Sequence, residues 1–514
     1  MTNHGIRGHP NTYVDSVKLL AGSRAIIETP GIEWGTVVTG TPANIEILIL
    51  EGFDPTLLER IGANDLVMAA RGDEPELAFE NAETAIFTVP TAATSAPEDS
   101  SIRSIEETAT LPEPPNLAVV SVGGAYATLE AHKAISAGMD VLLFSDNVSL
   151  EDEIELKQRA QERSLFMMGP GAGTAVIDGV GLGFANAVRN GPIGVVAAAG
   201  TGAQETMSLI DRAGLGVTQV IGVGGRDLSE SVGGLMTAQA IASLEDDPET
   251  EAILLVSKPP STDVAERLLN RPPAKPIVAA LIGIHKPIEV APHVTLASDL
   301  EEGVVAITSV VGKKFAPIDA GLTDLARDAI GRVDDSRTAI RGLFSGGTMC
   351  FEAMTVMREH GLAVHSNTPL RADLTLDLAE IDSHVCLDLG EEEYTRDQPH
   401  PMIDPAARFE LIEREGNRPE TAVVLLDVVL GYGSHDDPAG QLAPACADVI
   451  GIDGGPQVVA YVLGTDSDPQ GLADQRRKLE DAGAIVAVTN TRAALMAAAI
   501  ATRRPEISEF QGSR

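Results

Sequence analysis

Cysteine, lysine and aromatic residues are scarce in this chain, and each shortage removes a class of function. Three cysteines occur in 514 residues, Cys350, Cys386 and Cys446. An odd, widely spaced set without a CxxC pair supports neither a disulfide framework nor a zinc site, so no metal is expected. Nine lysines and twenty-eight arginines face seventy-five acidic residues, giving a formal charge of −38. Such a chain repels a phosphate backbone and has no counterions to release, so nucleic acid and anionic membranes are excluded as partners. The acidity fits either a salty cytoplasm or GC-rich codon usage. No apolar run reaches the roughly 18 residues that span a bilayer, and Met1 to Pro10 lacks the apolar stretch of a secretory signal. A soluble protein of the reducing cytoplasm is expected.

What is present is small and flexible: fifty glycines with abundant Ala and Val, against 3% aromatics. That composition suits tightly turned α/β layers better than an all-β sandwich. The length has room for roughly three or four domains. Apolar runs and helix-like stretches alternate over residues 1–87, a small α/β domain. Residues 88–116, with Pro90, Pro97, Pro112, Pro114 and Pro115, read as a linker. From Leu117 the order strand, glycine turn, helix, strand repeats as in βαβ units with parallel strands. The boundaries drawn are 117–190, 191–315, a polar connector at 316–335, and 336–514. The last helix takes Asn490 or Thr491 as N-cap.

Glycine turns fall at the carboxyl ends of these strands, where ligands of open parallel sheets collect and helix amino termini offer unpaired N–H groups. The candidate turns are Gly123-Gly124, Gly169-Pro170, Gly200-Thr201-Gly202, Gly224-Gly225, Gly346-Gly347-Thr348 and Gly431 with Gly433. Each admits two readings, an anion cradle or a simple chain reversal. A dinucleotide site is the weaker idea, since Gly123-Gly124 lacks the G-x-G-x-x-G spacing. Beside the turns, Arg226 and Lys258 could clamp phosphate or carboxylate, and Glu205 and Glu352 could orient a partner or a proton. Surface ion pairs explain each equally well, and Asp227 serves as an N-cap or a catalyst. His285 and His293 follow the strand expected at 275–284, and His400 sits in a proline-pinned loop.

The segments Phe144-Ser145-Asp146-Asn147-Val148, Met168-Gly169-Pro170, Leu182-Gly183-Phe184-Ala185-Asn186, Gly200-Thr201-Gly202-Ala203-Gln204-Glu205, Ile221 to Leu228 and Val256 to Pro260 together resemble the FdrA family. That family is similar to the succinyl-CoA synthetase α subunit and related acyl-CoA synthetases. The resemblance implies a Rossmann-like CoA-binding-type domain at 117–190 and flavodoxin-like succinyl-CoA-synthetase-type domains at 191–315 and 336–514, with parallel sheets. It also implies two pseudo-equivalent halves whose helix amino termini converge on one phosphate. The chain departs from the synthetase pattern after the strand at 275–284. There it reads Gly283-Ile284-His285-Lys286-Pro287, with no Gly-His-Ala-Gly loop to carry a phosphohistidine. No ATP-grasp segment is evident. Gly171-Ala172-Gly173 and Ala197-Ala198-Ala199 lack the polar side chains of the family, which leaves binding to backbone groups.

The resemblance thus implies a subunit of an oxamate carbamoyltransferase, interconverting oxalurate plus phosphate with oxamate plus carbamoyl phosphate in allantoin breakdown. Phosphate or carbamoyl phosphate is then the substrate or product, with a small carboxylate or ureido compound, and CoA is a further possible ligand. Companion subunits and an oligomer are expected. Two alternatives stand: an acyl-CoA synthetase working with a partner chain and a nucleotide, and a non-catalytic scaffold that binds CoA or phosphate.

Overall fold

Residues 252–257 are buried at every position, the pattern of a strand covered by helices on both faces. Runs of this kind organise most of the chain. The structure is a computed structural model describing residues 3–509, apart from 13, 15, 59, 88–101, 103, 273, 285, 286, 316–320, 377–382, 397 and 398. It divides into two compact units, Met1–Ser101 and Ile102–Arg514.

The first unit runs β1 (Asn3–His9), α1 (Ser16–Ile27), β2 (Ile32–Thr39), α2 (Pro42–Leu50), α3 (Pro55–Leu58), β3 (Leu66–Gly72) and α4 (Pro75–Phe87). Its sheet is antiparallel in the order β1-β3-β2. Central β3 alternates its side chains between two small cores, Met68 and Ala70 in one and Val67 and Ala69 in the other.

The second unit opens with a one-turn helix, α5 (Ile105–Thr108), inside the stretch expected to be linker; residues 88–101 of that stretch lie outside the described residues. Then come β4 (Leu117–Val120), α6 (Gly124–Ser136), β5 (Asp140–Leu143), α7 (Leu150–Glu162) and β6 (Met167–Met168), a parallel three-stranded βαβ layer. Ser149 caps α7 by accepting the Asp152 N–H at 3.0 Å, and Glu151, Asp152 and Glu153 complement the helix dipole.

Next are β7 (Thr174–Ile177), β8 (Val180–Gly183), β9 (Asn190–Ala197), α8 (Gly200–Arg212), β10 (Val217–Gly222), α9 (Leu235–Asp246), β11 (Ala252–Ser257), α10 (Thr262–Leu269), β12 (Ile277–Leu281), β13 (Val294–Ala297) and α11 (Leu300–Val310). The sheet order is β13-β12-β11-β9-β10-β7-β8. From β9 onward this is the flavodoxin-like 2-1-3-4-5 arrangement. The β7–β8 hairpin pairs antiparallel with β10, so the sheets part before Thr174 rather than at 190/191. Its alternating residues complete the edge of the second sheet, a long-range pairing that local periodicity does not reveal.

The third sheet is built from α12 (Leu322–Arg332), β14 (Ala339–Phe344), α13 (Gly347–Glu359), β15 (Val364–Ser366), β16 (His384–Asp388), α14 (Glu392–Thr395), α15 (Ala406–Gly416), β17 (Thr421–Val429), α16 (Pro438–Ile450), β18 (Gln457–Leu463), α17 (Leu472–Asp481), β19 (Ile485–Ala487) and α18 (Asn490–Thr502). All its pairs are parallel, in the order β15-β16-β14-β17-β18-β19. With β15 set aside, β16-β14-β17-β18-β19 repeats the 2-1-3-4-5 order. One continuous core holds Ala203 and Met207 of α8, Met349 and Ala353 of α13, and the alanines of α18. Helix α18 is buried from Asn490 to Ala501, as a helix apolar all round must be. Its N-cap is Thr489, one residue before the expected pair, because the Asn490 side chain is engaged by Glu352.

Candidate functional site

Helices α8 and α13 begin with matched residues: glycine first (Gly200, Gly347), threonine second (Thr201, Thr348) and glutamate sixth (Glu205, Glu352). Their first turns touch. Thr201 Oγ1 accepts the Thr348 N–H at 3.2 Å. A Cβ on Gly346 would stand 2.8 Å from Thr201 Cγ2, and one on Gly202 would stand 3.1 Å from Thr348 Cγ2. A side chain at Gly346 would force Thr201 to shift, and one at Gly202 would press on Val256 and Thr348, so glycine at both positions lets the two turns approach this closely. Neither helix has a side-chain N-cap bond. Their leading N–H groups, apart from that of Thr348, have no acceptor among the described residues, and each first turn carries partial positive charge.

These turns open onto a cavity of about 390 Å³ in the second unit, within the roughly 300–1,000 Å³ usual for small-molecule sites. Gly200, Thr201, Gly224, Gly225, Lys258, Gly347 and Thr348 all line it. Among the described residues Lys258 is the only Lys or Arg in the lining. Its ammonium makes no ion pair with any described residue and stands 5.8 Å from the Phe351 ring centroid. Phe144, Phe184 and His400 form one wall, with ring centroids 5.7 and 6.0 Å apart along the series.

Among the described residues three carboxylates share the lining: Asp146, Asp388 and Glu391. Burial raises the Asp388 pKa to about 6, against the attraction of Lys258, and Glu391 and Asp427 add to the rise. Burial likewise raises Asp146, with Glu391 repelling and Arg226 attracting its charge. Burial lowers His400 to about 4, so the imidazole is neutral. Its Nδ1 accepts the Met402 N–H at 3.2 Å, which leaves the proton on Nε2. The thiols take no part as thiolates: burial raises Cys350 well above its usual range and pushes Cys386 and Cys446 to about 12.

The remaining sequence candidates sit away from the lining. Arg226 donates to Glu153 Oε2 at 2.7 Å and to the Val148 carbonyl at 2.8 Å. Asp227 is fully buried, accepting from Lys157 and from the Met236 and Thr237 N–H groups at the start of α9; it acts there as a helix cap. Glu205 accepts the Tyr461 hydroxyl, while Glu352 accepts the Leu300 N–H at 2.8 Å and the Asn490 amide at 2.7 Å. Burial raises both carboxyls to about 7. Gly169 packs under Gly224, and the turn at Gly169-Pro170 supports the wall from behind. Gly124 lies against the backbone of Asp146 and Asn147, one residue into a helix capped by Gly123. The Gly431–Gly433 turn grips the hairpin segment instead, Tyr432 N–H donating to the Ala185 carbonyl at 2.8 Å. His285 lies outside the described residues.

Asp388, Glu391 and Asp146 were not singled out as candidates in the sequence. A signal existed for Asp388: Val385-Cys386-Leu387-Asp388-Leu389-Gly390 is an apolar strand ending in a carboxylate and a glycine, the same grammar as the turns that were recognised. A larger cavity of about 820 Å³ carries Asp299, Glu302, Glu359, Glu506 and Glu509 against Arg504 and His360. It has none of the open first turns, and its charge is unfavourable for an anion.

Comparison with known proteins bears on this geometry. A protein of Escherichia coli K12 described as uncharacterized protein YahF is 40% identical over 502 residues, covering 95% of this chain and 96% of the relative. The CoA-ligase family matches residues 343–500, the CoA binding domain matches 188–283, and the AllF heavy metal-associated domain matches 1–103. The chain belongs to the FdrA-type, succinyl-CoA-synthetase-like family. Its core is the multidomain α/β architecture of that family, and the family places it among the acyl-CoA-ligase-like enzymes.

Other relatives of this FdrA-type chain match in part. The sulfoacetate-CoA ligase subunit SqwL of an Acholeplasma species is 30% identical over 29% of this chain and 53% of its own length. The mitochondrial succinate–CoA ligase subunit alpha-2 of Trichomonas vaginalis is 30% identical over 33% and 56%. The chain thus spans about half the length of these ligase subunits. A dinucleotide-forming acetyl-coenzyme A synthetase 1 from Ca. Korarchaeum cryptofilum overlaps 78% of this chain and 86% of its own, at 14% identity. Its TM-score of 0.32 is too low to carry a conclusion.

The CoA binding match falls on β9 to β12, one module later than the Rossmann-like layer at 117–190 to which a CoA-binding role was assigned from sequence. The residues of the first unit do not fit a heavy-metal site. Every cysteine lies beyond residue 349, so soft thiolate ligands are lacking there, and no described group of three His, Cys, Asp or Glu could hold a metal. No helix among the described residues is long and apolar enough to cross a membrane.

Proposed function

We propose that this chain is the phosphate-handling subunit of a carbamoyltransferase, interconverting oxalurate plus phosphate with oxamate plus carbamoyl phosphate in allantoin breakdown alongside companion subunits. The supporting observation is the placement of the Lys258 ammonium, without an ion-pair partner among the described residues, beside two touching helix first turns over a small cavity. In the breakdown direction a phosphate oxygen attacks the ureido carbon. The bond from that carbon to the inner nitrogen breaks, and the nitrogen takes a proton to become the amide of oxamate. The N–H groups of Gly200, Thr201 and Gly347 and the Lys258 ammonium then offset charge on the phosphate oxygens as the new bond forms.

A second reading, an acyl-CoA synthetase completed by a nucleotide-binding partner, draws on the CoA-ligase and CoA binding matches. That chemistry needs a phosphate carrier. His400 is poorly suited, because its Nδ1 lone pair is held by a backbone N–H and its Nε2 is protonated. The two readings separate when the chain is reconstituted with its companion subunits and assayed for oxalurate phosphorolysis beside CoA-ligase turnover. Phosphate-dependent oxamate release without CoA or nucleotide is expected. Turnover that requires CoA and a nucleotide overturns the carbamoyl reading, and binding without turnover in either assay points to a scaffold.

A further inference from the structure

The Asp388 side chain is 3% exposed, yet only half of its carboxylate is satisfied. Oδ1 accepts the Gly390 N–H at 3.1 Å. Oδ2 has no hydrogen-bond partner among the described residues, and the residue lines the cavity beside Gly347 at the start of α13. A carboxylate that lines a cavity with one oxygen unclaimed by the described residues has an acceptor to offer a ligand there. His400 Nε2 and Asp388 Oδ1 lie 2.7 and 3.3 Å from the point where a Cβ on Gly390 would stand. Glycine at this position therefore lets the His400 imidazole and the Asp388 carboxylate pack close to one turn, and a side chain there would displace the imidazole.

Asp388 faces charge from several elements. Lys258 stands at the end of β11 and attracts its charged form. Glu391 follows it in the same turn, and Asp427 on β17 also repels it, although Asp427 is itself held by Arg408 at 3.2 Å and by the Ser345 and Gly346 N–H groups. Asp146 across the cavity, neutral His400 and the protonated thiol of Cys350 complete its surroundings.

We propose that Asp388 is the proton-transfer residue of this site, its open Oδ2 accepting an N–H of the substrate amide. The inference rests on the carbamoyl-transfer reading for its chemistry. As the amide nitrogen bonds to the carbamoyl carbon, the bond from that carbon to the phosphate oxygen breaks and phosphate leaves with the electron pair. The proton released by nitrogen passes to Oδ2. In the reverse direction protonated Asp388 returns it to the departing nitrogen. Positioned general acid–base catalysis of this kind contributes about 10²–10⁴-fold to a rate. The raised pKa of about 6 keeps both forms accessible near neutrality.

The test is Asp388→Asn in the complex with companion subunits, since Asn still accepts the Gly390 N–H but takes no proton. The expected result is a kcat for oxamate carbamoylation at least about 100-fold lower, loss of the acidic limb of the pH profile, and phosphate affinity and melting temperature close to wild type. A kcat within threefold of wild type, or an unchanged acidic limb, overturns the proposal. A binding arm does not depend on turnover. Oxamate and pyruvate share a shape and differ in NH2 against CH3, so wild type should prefer oxamate about tenfold, the worth of one hydrogen bond to a charged acceptor, and Asp388→Leu should erase the preference. Equal binding of the two by wild type overturns the role of Asp388 whatever the turnover. A retained preference in a complex that forms no oxalurate supports Asp388 as the amide acceptor and sinks the carbamoyl reading alone.

Discussion

Thr201 Oγ1 accepts the backbone N–H of Thr348 at 3.2 Å, so the second residue of one helix caps the second residue of its counterpart. The contact joins two halves of the chain at the point where both helices direct free N–H groups into one cavity. Gly346→Ala tests how closely these turns must approach. The added methyl meets Thr201 and Asp427 Oδ2 at about 3 Å, and overpacking of this kind costs about 1–3 kcal/mol. A lower melting temperature together with weaker phosphate binding is expected. A variant with wild-type values of both would show that the turns are free to move apart.

Lys157 anchors the layer beneath the cavity. Its ammonium donates to Glu153 Oε1 at 2.7 Å, Asp227 Oδ1 at 2.8 Å and the Val223 carbonyl at 2.9 Å, all fully buried. Lys157→Met leaves the Asp227 carboxylate without its counter-charge and Glu153 with Arg226 alone, and breaking a buried pair costs about 3–5 kcal/mol. Arg226→Ala removes a half-exposed partner of the same Glu153 and should cost far less. Thermal unfolding of the two variants side by side checks the order; equal losses would contradict it.

The buried carboxyls between the two halves set a pH dependence of stability. Glu205 and Glu352 are raised to about 7 and Asp299 to about 8, each chiefly by burial. Their folded pKa values exceed the unfolded ones, so the folded chain holds more protons between about pH 4.5 and pH 7. Stability is greatest at the acid end of that window and falls as pH rises through it, by at most about 1.4 kcal/mol per unit for each group. Glu205→Gln, which keeps a partner for Tyr461, should flatten the slope. Urea unfolding at pH 5, 6, 7 and 8 gives the comparison, and an unaltered slope in the variant would sink the assignment to Glu205.

His400 should not carry phosphate. Incubating the assembled enzyme with carbamoyl phosphate, or with a nucleoside triphosphate and its partner chains, is expected to leave His400 unmodified. A phosphorus NMR resonance of phosphohistidine that disappears in His400→Asn would reverse the tautomer deduced from the Met402 contact.

Much of this architecture is legible in the sequence. Strands such as Ala252–Ser257 and Thr421–Val429 are long, apolar and bounded by glycine turns, and their parallel order follows from the alternation with helices. The short strands Val364–Ser366 and His384–Asp388 escaped, because three to five residues among polar neighbours leave little periodicity to detect. Losing β16 also meant losing Asp388. Lys258, Thr201 and Thr348 were legible as polar residues at strand ends. Which charges face the cavity was not: Arg226 and Lys258 occupy similar positions in sequence, and only tertiary packing shows that Glu153 and the Val148 carbonyl claim the first while the second has no ion-pair partner among the described residues. The cavity placement of Asp388, Glu391 and Asp146 depends on three separate layers meeting.

The central claim is that Lys258 and the paired first turns of α8 and α13 hold the phosphate. Equilibrium dialysis of radiolabelled phosphate against wild type and Lys258→Met tests it most directly. A charge-assisted contact is worth about 1.5–3 kcal/mol, so the dissociation constant should rise at least about tenfold in the variant while the melting temperature stays unchanged. An equal affinity in the two proteins would contradict the account.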